Sequence, residues 1–130
     1  MDFEKLMEQA KQAMEQAYAP YSEFQVGAAL LCADGSVYTG CNIENAAYSP
    51  TLCAERVAFA KAVSEGQRDF VAMALCGGKK GVVEGLCTPC GVCRQVMAEF
   101  CKRDFKIIVA DAVGYQEFSL ENLLPNSFSL

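Results

Sequence analysis

Apolar and polar positions along the chain follow two periods, and the changes of period mark the elements. Phe3, Leu6, Met7, Ala10, Met14 and Ala17 recur at spacings of three and four, with Glu4, Glu8, Lys11 and Glu15 elsewhere around the turn. Those spacings share one face of a helix, so a first helix is predicted that buries its methionines and ends at Ala19-Pro20-Tyr21-Ser22. Val26 to Cys32 is a short apolar run, Asp34-Gly35 a turn pair and Val37 to Cys41 an extended piece, which together predict a hairpin. Gly27 within it marks either a close approach by another group or a bulge. Cys53 to Val63 predicts a second helix, stopped by Gly66. Phe70 to Cys76 is almost continuously apolar, as in a strand covered on both faces. Gly77-Gly78-Lys79-Lys80-Gly81 reads as a flexible turn and Val82-Val83 as a short extended piece. A helix begun at Cys90 ends near Cys101-Lys102. A strand over Phe105 to Ala110, a last strand over Val113 to Phe118 and a helical turn at Leu120 to Leu124 complete the chain.

Helices alternating with buried strands predict an α/β fold. The expected architecture is a three-layer α/β/α sandwich around a central mixed sheet of about five strands. Residues 1–130 are expected to form a single domain, and neither repeat nor linker interrupts them. Cys53 and the Cys90/Cys93 pair each begin a helix after a strand, and such helix starts meet at one sheet edge.

Composition narrows the function. Hydrophobic residues make up 52% and charged residues 21%, as in a folded globular protein. The net charge is -5 and no basic stripe is visible, which argues against a general nucleic-acid binder and leaves room for a small neutral ligand. No apolar run is long enough to span a membrane, and no apolar signal region follows the charged start Met1-Asp2-Phe3-Glu4-Lys5. A reducing, cytoplasmic setting is therefore expected for the eight cysteines, as ligands or buried thiols. An oxidising setting would instead allow a Cys32–Cys41 crosslink.

The chain has no histidine, so a metal would be held by cysteine, carboxylate or water. Pro89-Cys90-Gly91-Val92-Cys93 places two thiols at a helix start, where anions are favoured, and a thiolate pair is half a zinc site. Cys53 offers a third sulfur. Three protein ligands leave a position for water and a catalytic site, whereas Cys87 or Cys101 as a fourth would close a structural one. A redox pair or core thiols is the other reading of Cys90 and Cys93. Glu55 follows Cys53 closely enough to handle the protons of a metal-activated water, or else lies on a solvated helix face. Arg56 or Arg94 offers hydrogen bonds to offset three thiolates; the plain alternatives are a solvated face and a surface salt bridge. Asn42 and Glu44 fall two apart in an extended segment and so point to one side, which suits sugar hydroxyls or an ordinary loop. The glycines at 77–81 lack the Lys-Ser or Lys-Thr of a phosphate loop.

Cys53-Ala54-Glu55 with Pro89-Cys90-Gly91-Val92-Cys93 resembles the zinc nucleoside and nucleobase deaminase signature, in its three-cysteine form. The runs Tyr21 to Ala29, Asn42 to Tyr48, Cys93-Arg94-Gln95 and Leu124 to Phe128 extend the likeness over most of the chain. They make it similar to the small homotetrameric cytidine deaminases. The resemblance implies hydrolytic deamination of free cytidine and 2'-deoxycytidine to uridine and 2'-deoxyuridine, with release of ammonia, in pyrimidine salvage. It implies a cytoplasmic homotetramer with one zinc per subunit and neither nucleic acid nor membrane as partner. Cys53, Cys90 and Cys93 are implied as zinc ligands with water as the fourth, and Glu55 as the proton carrier while hydroxide attacks ring C4. Phe24 is implied beside the pyrimidine, and Asn42 and Glu44 on the ribose 3'-hydroxyl. The Ala54 N–H is implied on the base carbonyl, the Thr88 carbonyl on the amino group and Arg56 on the ligand thiolates. Tyr48 and Phe128 are implied as residues lent to a neighbouring subunit's pocket. The segment Ser49-Pro50-Thr51-Leu52 is variable in such proteins, and Pro50 adjoins that contact. Blasticidin-type deaminases share the metal motif, but Phe24 and the 42–48 run favour a simple nucleoside. A zinc-stabilised interaction module, closed by a fourth protein ligand, is the alternative of a different class.

Overall fold

The computed structural model describes residues 2–130. Helix α1 (Phe3–Met14) starts at Asp2, whose carboxylate accepts from the Lys5 N–H at 3.1 Å and satisfies one of the unpaired donors of the first turn. It buries Leu6, Met7, Ala10 and Met14, as the periodicity predicts. Ala17 lies beyond its end, in the turn that leads to Pro20.

Strands β1 (Phe24–Cys32) and β2 (Val37–Cys41) form the predicted hairpin, joined through Asp34 and Gly35. Helix α2 (Ala54–Ser64), strand β3 (Phe70–Lys79), helix α3 (Gly91–Phe100), strands β4 (Lys106–Ala110) and β5 (Tyr115–Ser119) and the short α4 (Leu120–Leu123) follow. The five strands lie in the order β2-β1-β3-β4-β5. β3 and β4 run parallel and the other neighbours antiparallel, so the sheet is mixed as expected.

Alternation along the strands separates two cores. Ala28, Leu30, Met73, Leu75, Ile107 and Val109 face one way and pack with Ala58, Phe59, Met97 and Leu120 of the later helices. Ala29, Ala72, Ala74, Cys76, Ile108 and Ala110 face the other way, against α1. Phe59 anchors α2 among the rings of Phe70, Phe100 and Phe105, the closest with centroids 5.2 Å apart. Truncation of a ring so enclosed costs about 3–5 kcal/mol.

Gly27 marks a close approach. A Cβ there would collide with the Ala10 carbonyl and come within 2.6 Å of the Met14 nitrogen, so its absence lets α1 lie directly on β1. Gly40 does the same on the opposite face for the first turn of α2, where a Cβ would collide with the Ala54 carbonyl and stand 2.7 Å from the Ala58 nitrogen.

The predicted turn over Gly77 to Gly81 is corrected. β3 runs on through Gly77, Gly78 and Lys79, which pair with Val26, Gln25 and Phe24 of β1. The glycines serve crowding, because a Cβ on Gly78 would collide with the Val82 carbonyl. The turn comes later, at Lys80 and Gly81, both with positive φ. Val82 and Val83 are not a strand; the chain there folds back, and Glu84 N–H donates to the Gly77 carbonyl at 2.9 Å. The last strand begins at Tyr115, two residues after the expected start. All eight cysteines are free thiols, so Cys32 and Cys41 are not crosslinked. Among the described residues, no helix is long and apolar enough to cross a membrane.

Candidate active site

Cys53 and Cys90 hold the N-cap positions of α2 and α3, and Cys93 lies in the first turn of α3. Serine, threonine, aspartate or asparagine would stabilise such a position by binding a free N–H. Neither cysteine makes a capping bond. Their sulfurs turn toward one another instead. Cys90 Sγ lies 3.9 Å from Cys53 Sγ and 3.5 Å from Cys93 Sγ, and all three lie within 4.8 Å of one another. Tetrahedral zinc with sulfurs at about 2.3 Å spaces its ligands about 3.8 Å apart, so the cluster has the dimensions of one ion.

Its electrostatics agree. Hydrogen bonds from Cys93 and Arg56 draw the Cys53 thiol down to about 5. The same Cys53 interaction, with burial, drives Cys93 far up. One thiolate therefore suppresses ionisation of its neighbour unless a cation joins them. Arg56 brings positive charge: its Nη2 is 3.5 Å from Cys53 Sγ and donates to the Thr51 carbonyl at 3.2 Å. Its Nε is buried without a hydrogen-bond partner.

Glu55, one residue into α2, is only 6% exposed. Burial, reinforced by the Cys53 thiolate, pushes its carboxyl up to about 7. A buried carboxyl raised toward neutrality, two residues from Cys53, is equipped for acid–base work.

The end of β3 and the start of β1 meet beside Cys87, which lies within electrostatic reach of Glu55 and Cys53. Cys87 approaches from the 80–89 segment, and a Cβ on Gly77 would stand 2.9 Å from its sulfur and 2.8 Å from the Phe24 ring. Cys87 is not among the three clustered sulfurs, and burial raises its thiol to about 11. Cys101 terminates α3 at its opposite end. Neither closes the shell.

Asn42 and Glu44 sit on a segment threaded between two others. Tyr18 N–H donates to the Asn42 carbonyl at 2.9 Å, and Ile43 exchanges two 2.9 Å bonds with Leu52. The Asn42 side chain braces the start of β1, accepting from Val26 N–H and donating to the Phe24 carbonyl, both at 2.8 Å. Glu44 accepts from the Tyr21 and Ser22 N–H groups at 2.9 and 3.1 Å, and from the Ser22 hydroxyl. Ala54 is buried and Thr88 exposed beside Cys87 and Pro89. Tyr48 and Phe128 stand clear of the surface, 81% and 69% exposed.

Two residues have roles that the sequence alone does not disclose. Arg94 is neither a thiolate partner nor half of a surface salt bridge. Its Nε donates to the Pro89 carbonyl at 2.6 Å and its Nη1 to the Leu123 carbonyl at 2.7 Å, which ties the loop before Cys90 to the end of α4. Ser22 bonds at once to Glu44 and to the first residue of β1. A cavity of about 610 Å³, lined in part by Leu6, Leu31, Val37 and Val71, lies at the other end of the sheet, away from this chemistry.

Comparison with known proteins agrees with this arrangement. Residues 1–109 match a family model described as the cytidine and deoxycytidylate deaminase zinc-binding region. The chain is 53% identical to a cytidine deaminase from Sporosarcina psychrophila, over 99% of this chain and 93% of the relative. It is also 53% identical to one from Halalkalibacterium halodurans, over 99% of this chain and 96% of that one. A crystal structure of cytidine deaminase from Burkholderia pseudomallei superposes with a TM-score of 0.90 at 44% identity, covering 98% of this chain and all of the other. One from Mycobacterium tuberculosis superposes at 0.83 and 41% identity, covering 100% and 99%.

Proposed function

The chain belongs to the cytidine and deoxycytidylate deaminase family, and from that membership we propose how its residues divide the work of deaminating cytidine. The protein is a zinc enzyme with one ion per chain. Cys53, Cys90 and Cys93 hold the zinc. The ion, once bound, supplies a water acidic enough to act as nucleophile near neutral pH.

Glu55 takes one proton from the attacking water and places it on ring N3 while the water oxygen bonds to C4; it then moves the remaining hydroxyl proton to the amino group, so that the C4–N bond breaks, ammonia departs and C4 is left as a carbonyl. The buried position of Glu55 and its raised carboxyl, at about 7, support this role, because the group has to accept and release protons at the same pH. Ala54 N–H holds the base carbonyl, the Thr88 carbonyl accepts from the amino group, and Phe24 packs beside the ring. Asn42 and Glu44 hold the ribose 3'-hydroxyl. Arg56 donates to the ligand thiolates, a role supported by its 3.5 Å approach to Cys53.

The substrates are free cytidine and 2'-deoxycytidine, and the setting is pyrimidine salvage in the cytoplasm, where eight free thiols stay reduced. Residues 1–130 act as one domain. The active unit is a homotetramer in which Tyr48 and Phe128 enter a neighbour's pocket. The exposure of two large aromatic side chains supports that assembly.

One observation carries the reading: three sulfurs at zinc spacing beside a buried carboxylate. The test is conversion of cytidine to uridine by zinc-loaded protein, followed by chromatography, with Glu55→Gln alongside. Turnover by the variant is expected to fall about 10²–10⁴-fold with one zinc per chain retained. Loss of zinc together with activity would remove Glu55 from the acid–base role.

A further inference from the structure

We propose that Ser22 is a positioning residue for the nucleoside: its hydroxyl locks the Glu44 carboxylate and the start of β1 into one unit. The proposal rests on the assignment of Glu44 to the ribose 3'-hydroxyl.

A serine hydroxyl has one proton and two lone pairs. That of Ser22 donates its proton to Glu44 Oε2 and accepts from the Phe24 N–H at 3.0 Å. One oxygen atom thus ties a sugar-facing carboxylate to the residue that packs beside the base. The surrounding backbone reinforces the bond. Tyr21 and Ser22 N–H groups both point at Glu44 Oε1, and the Glu44 N–H donates to the Tyr18 carbonyl at 2.8 Å. Glu23, between Ser22 and Phe24, has a φ of 59° in the left-handed region, and its N–H donates to the Ala19 carbonyl at 3.0 Å. A non-glycine residue holds that conformation only when its surroundings fix it.

The bonds leave a specific remainder. A carboxylate offers about four acceptor sites, and three are taken by Tyr21 and Ser22, so one stays free. The Asn42 amide has two donor hydrogens, and one is spent on the Phe24 carbonyl. One acceptor and one donor are left, and a single hydroxyl that donates to Glu44 and accepts from Asn42 satisfies both. Ser22 makes this remainder sharp, because without it the carboxylate loses one of three donors and can rotate. Its hydroxyl donor also lowers the Glu44 carboxyl from its ordinary value.

The test compares wild type, Ser22→Ala, Ser22→Thr and Glu44→Gln on cytidine and on 3'-deoxycytidine, with kcat and KM determined separately and zinc content measured. Ser22→Ala is expected to raise KM for cytidine about five- to tenfold with kcat within about twofold and zinc unchanged. Ser22→Thr, which keeps the hydroxyl, is expected to recover most of that loss. On 3'-deoxycytidine the loss in Ser22→Ala should be smaller than on cytidine by about threefold or more, because Glu44 has no partner there and only the tie to Phe24 is lost. Equal losses on both substrates, no loss on either, or a loss confined to kcat would overturn the role of Ser22. Glu44→Gln separates the two levels. If it discriminates between the substrates and Ser22→Ala does not, the inference about Ser22 falls alone. If Glu44→Gln fails to discriminate, the assignment of Glu44 to the 3'-hydroxyl falls, and Ser22 with it.

Discussion

At the scale of single residues, the difficulty in this site is charge. Three thiolates around one divalent ion leave an excess negative charge in a part-buried place, and Arg56 is the cation set against it. Replacement by glutamine keeps a donor and removes the charge. Arg56→Gln is expected to weaken zinc retention by about 10–100-fold in a chelator competition, with a comparable fall in kcat. Lysine should not fully restore either quantity, because its ammonium ends about one bond short of the Nη2 that reaches both the Thr51 carbonyl and Cys53 Sγ. Wild-type zinc retention in Arg56→Gln would show that the sulfurs need no cation besides the metal. The cysteine spacing made this chemistry legible in the sequence, since two thiols three apart at a helix start and a Cys-Ala-Glu triplet each carry a physical reason. Arg94 was not legible, because its partners are the carbonyls of Pro89 and Leu123, and backbone acceptors leave no mark in a sequence.

At the scale of elements, the site depends on how closely α2 lies on the sheet. Gly40 permits that approach, and the backbone it touches belongs to Ala54, between Cys53 and Glu55. A methyl group at position 40 has to push the first turn of α2 outward or distort β2. Gly40→Ala is expected to destabilise the fold by about 1–3 kcal/mol in denaturant titration. A displacement of Glu55 by even part of an ångström should lower kcat at least about tenfold. Wild-type kcat and stability together would mean that the helix absorbs the group without moving. The same sensitivity to crowding explains where sequence reading failed. Gly77 and Gly78 carry turn composition, yet they are strand residues whose missing side chains make room for Cys87, Phe24 and Val82. Composition cannot separate a glycine that bends the chain from one that lets another segment approach. The buried strands were legible because their alternation reports two covered faces.

At the scale of the whole molecule, the two cores account for the sheet and its helices but leave Tyr48 and Phe128 unused in the chain that carries them. Tyr48 is held out by a left-handed backbone, φ 63°, in a loop fixed by bonds from Thr51 N–H to the Tyr48 carbonyl and from Asn45 N–H to the Thr51 hydroxyl. Phe128 is anchored through its carbonyl to Gln95 on α3, so its ring is presented while its backbone is tied to the helix that begins at Cys90. Two aromatics held outward by built structure fit the proposed entry into a neighbour's pocket. If each pocket takes Phe128 from a neighbour, Glu55→Gln and Phe128→Ala protein fail for different reasons and can repair one another. A site with its own Glu55 intact and a neighbour's Phe128 intact forms only in the mixture. Random exchange of equal amounts should restore about a quarter of the sites, as the product of two independent halves. The measurement is cytidine turnover before and after mixing, with subunits exchanged through mild denaturant and both pure variants carried through the same treatment. Recovery toward that fraction places the aromatic ring and the carboxylate of one pocket on different chains. No gain after demonstrated exchange would mean that each chain completes its own pocket, and that the exposed rings serve contact alone.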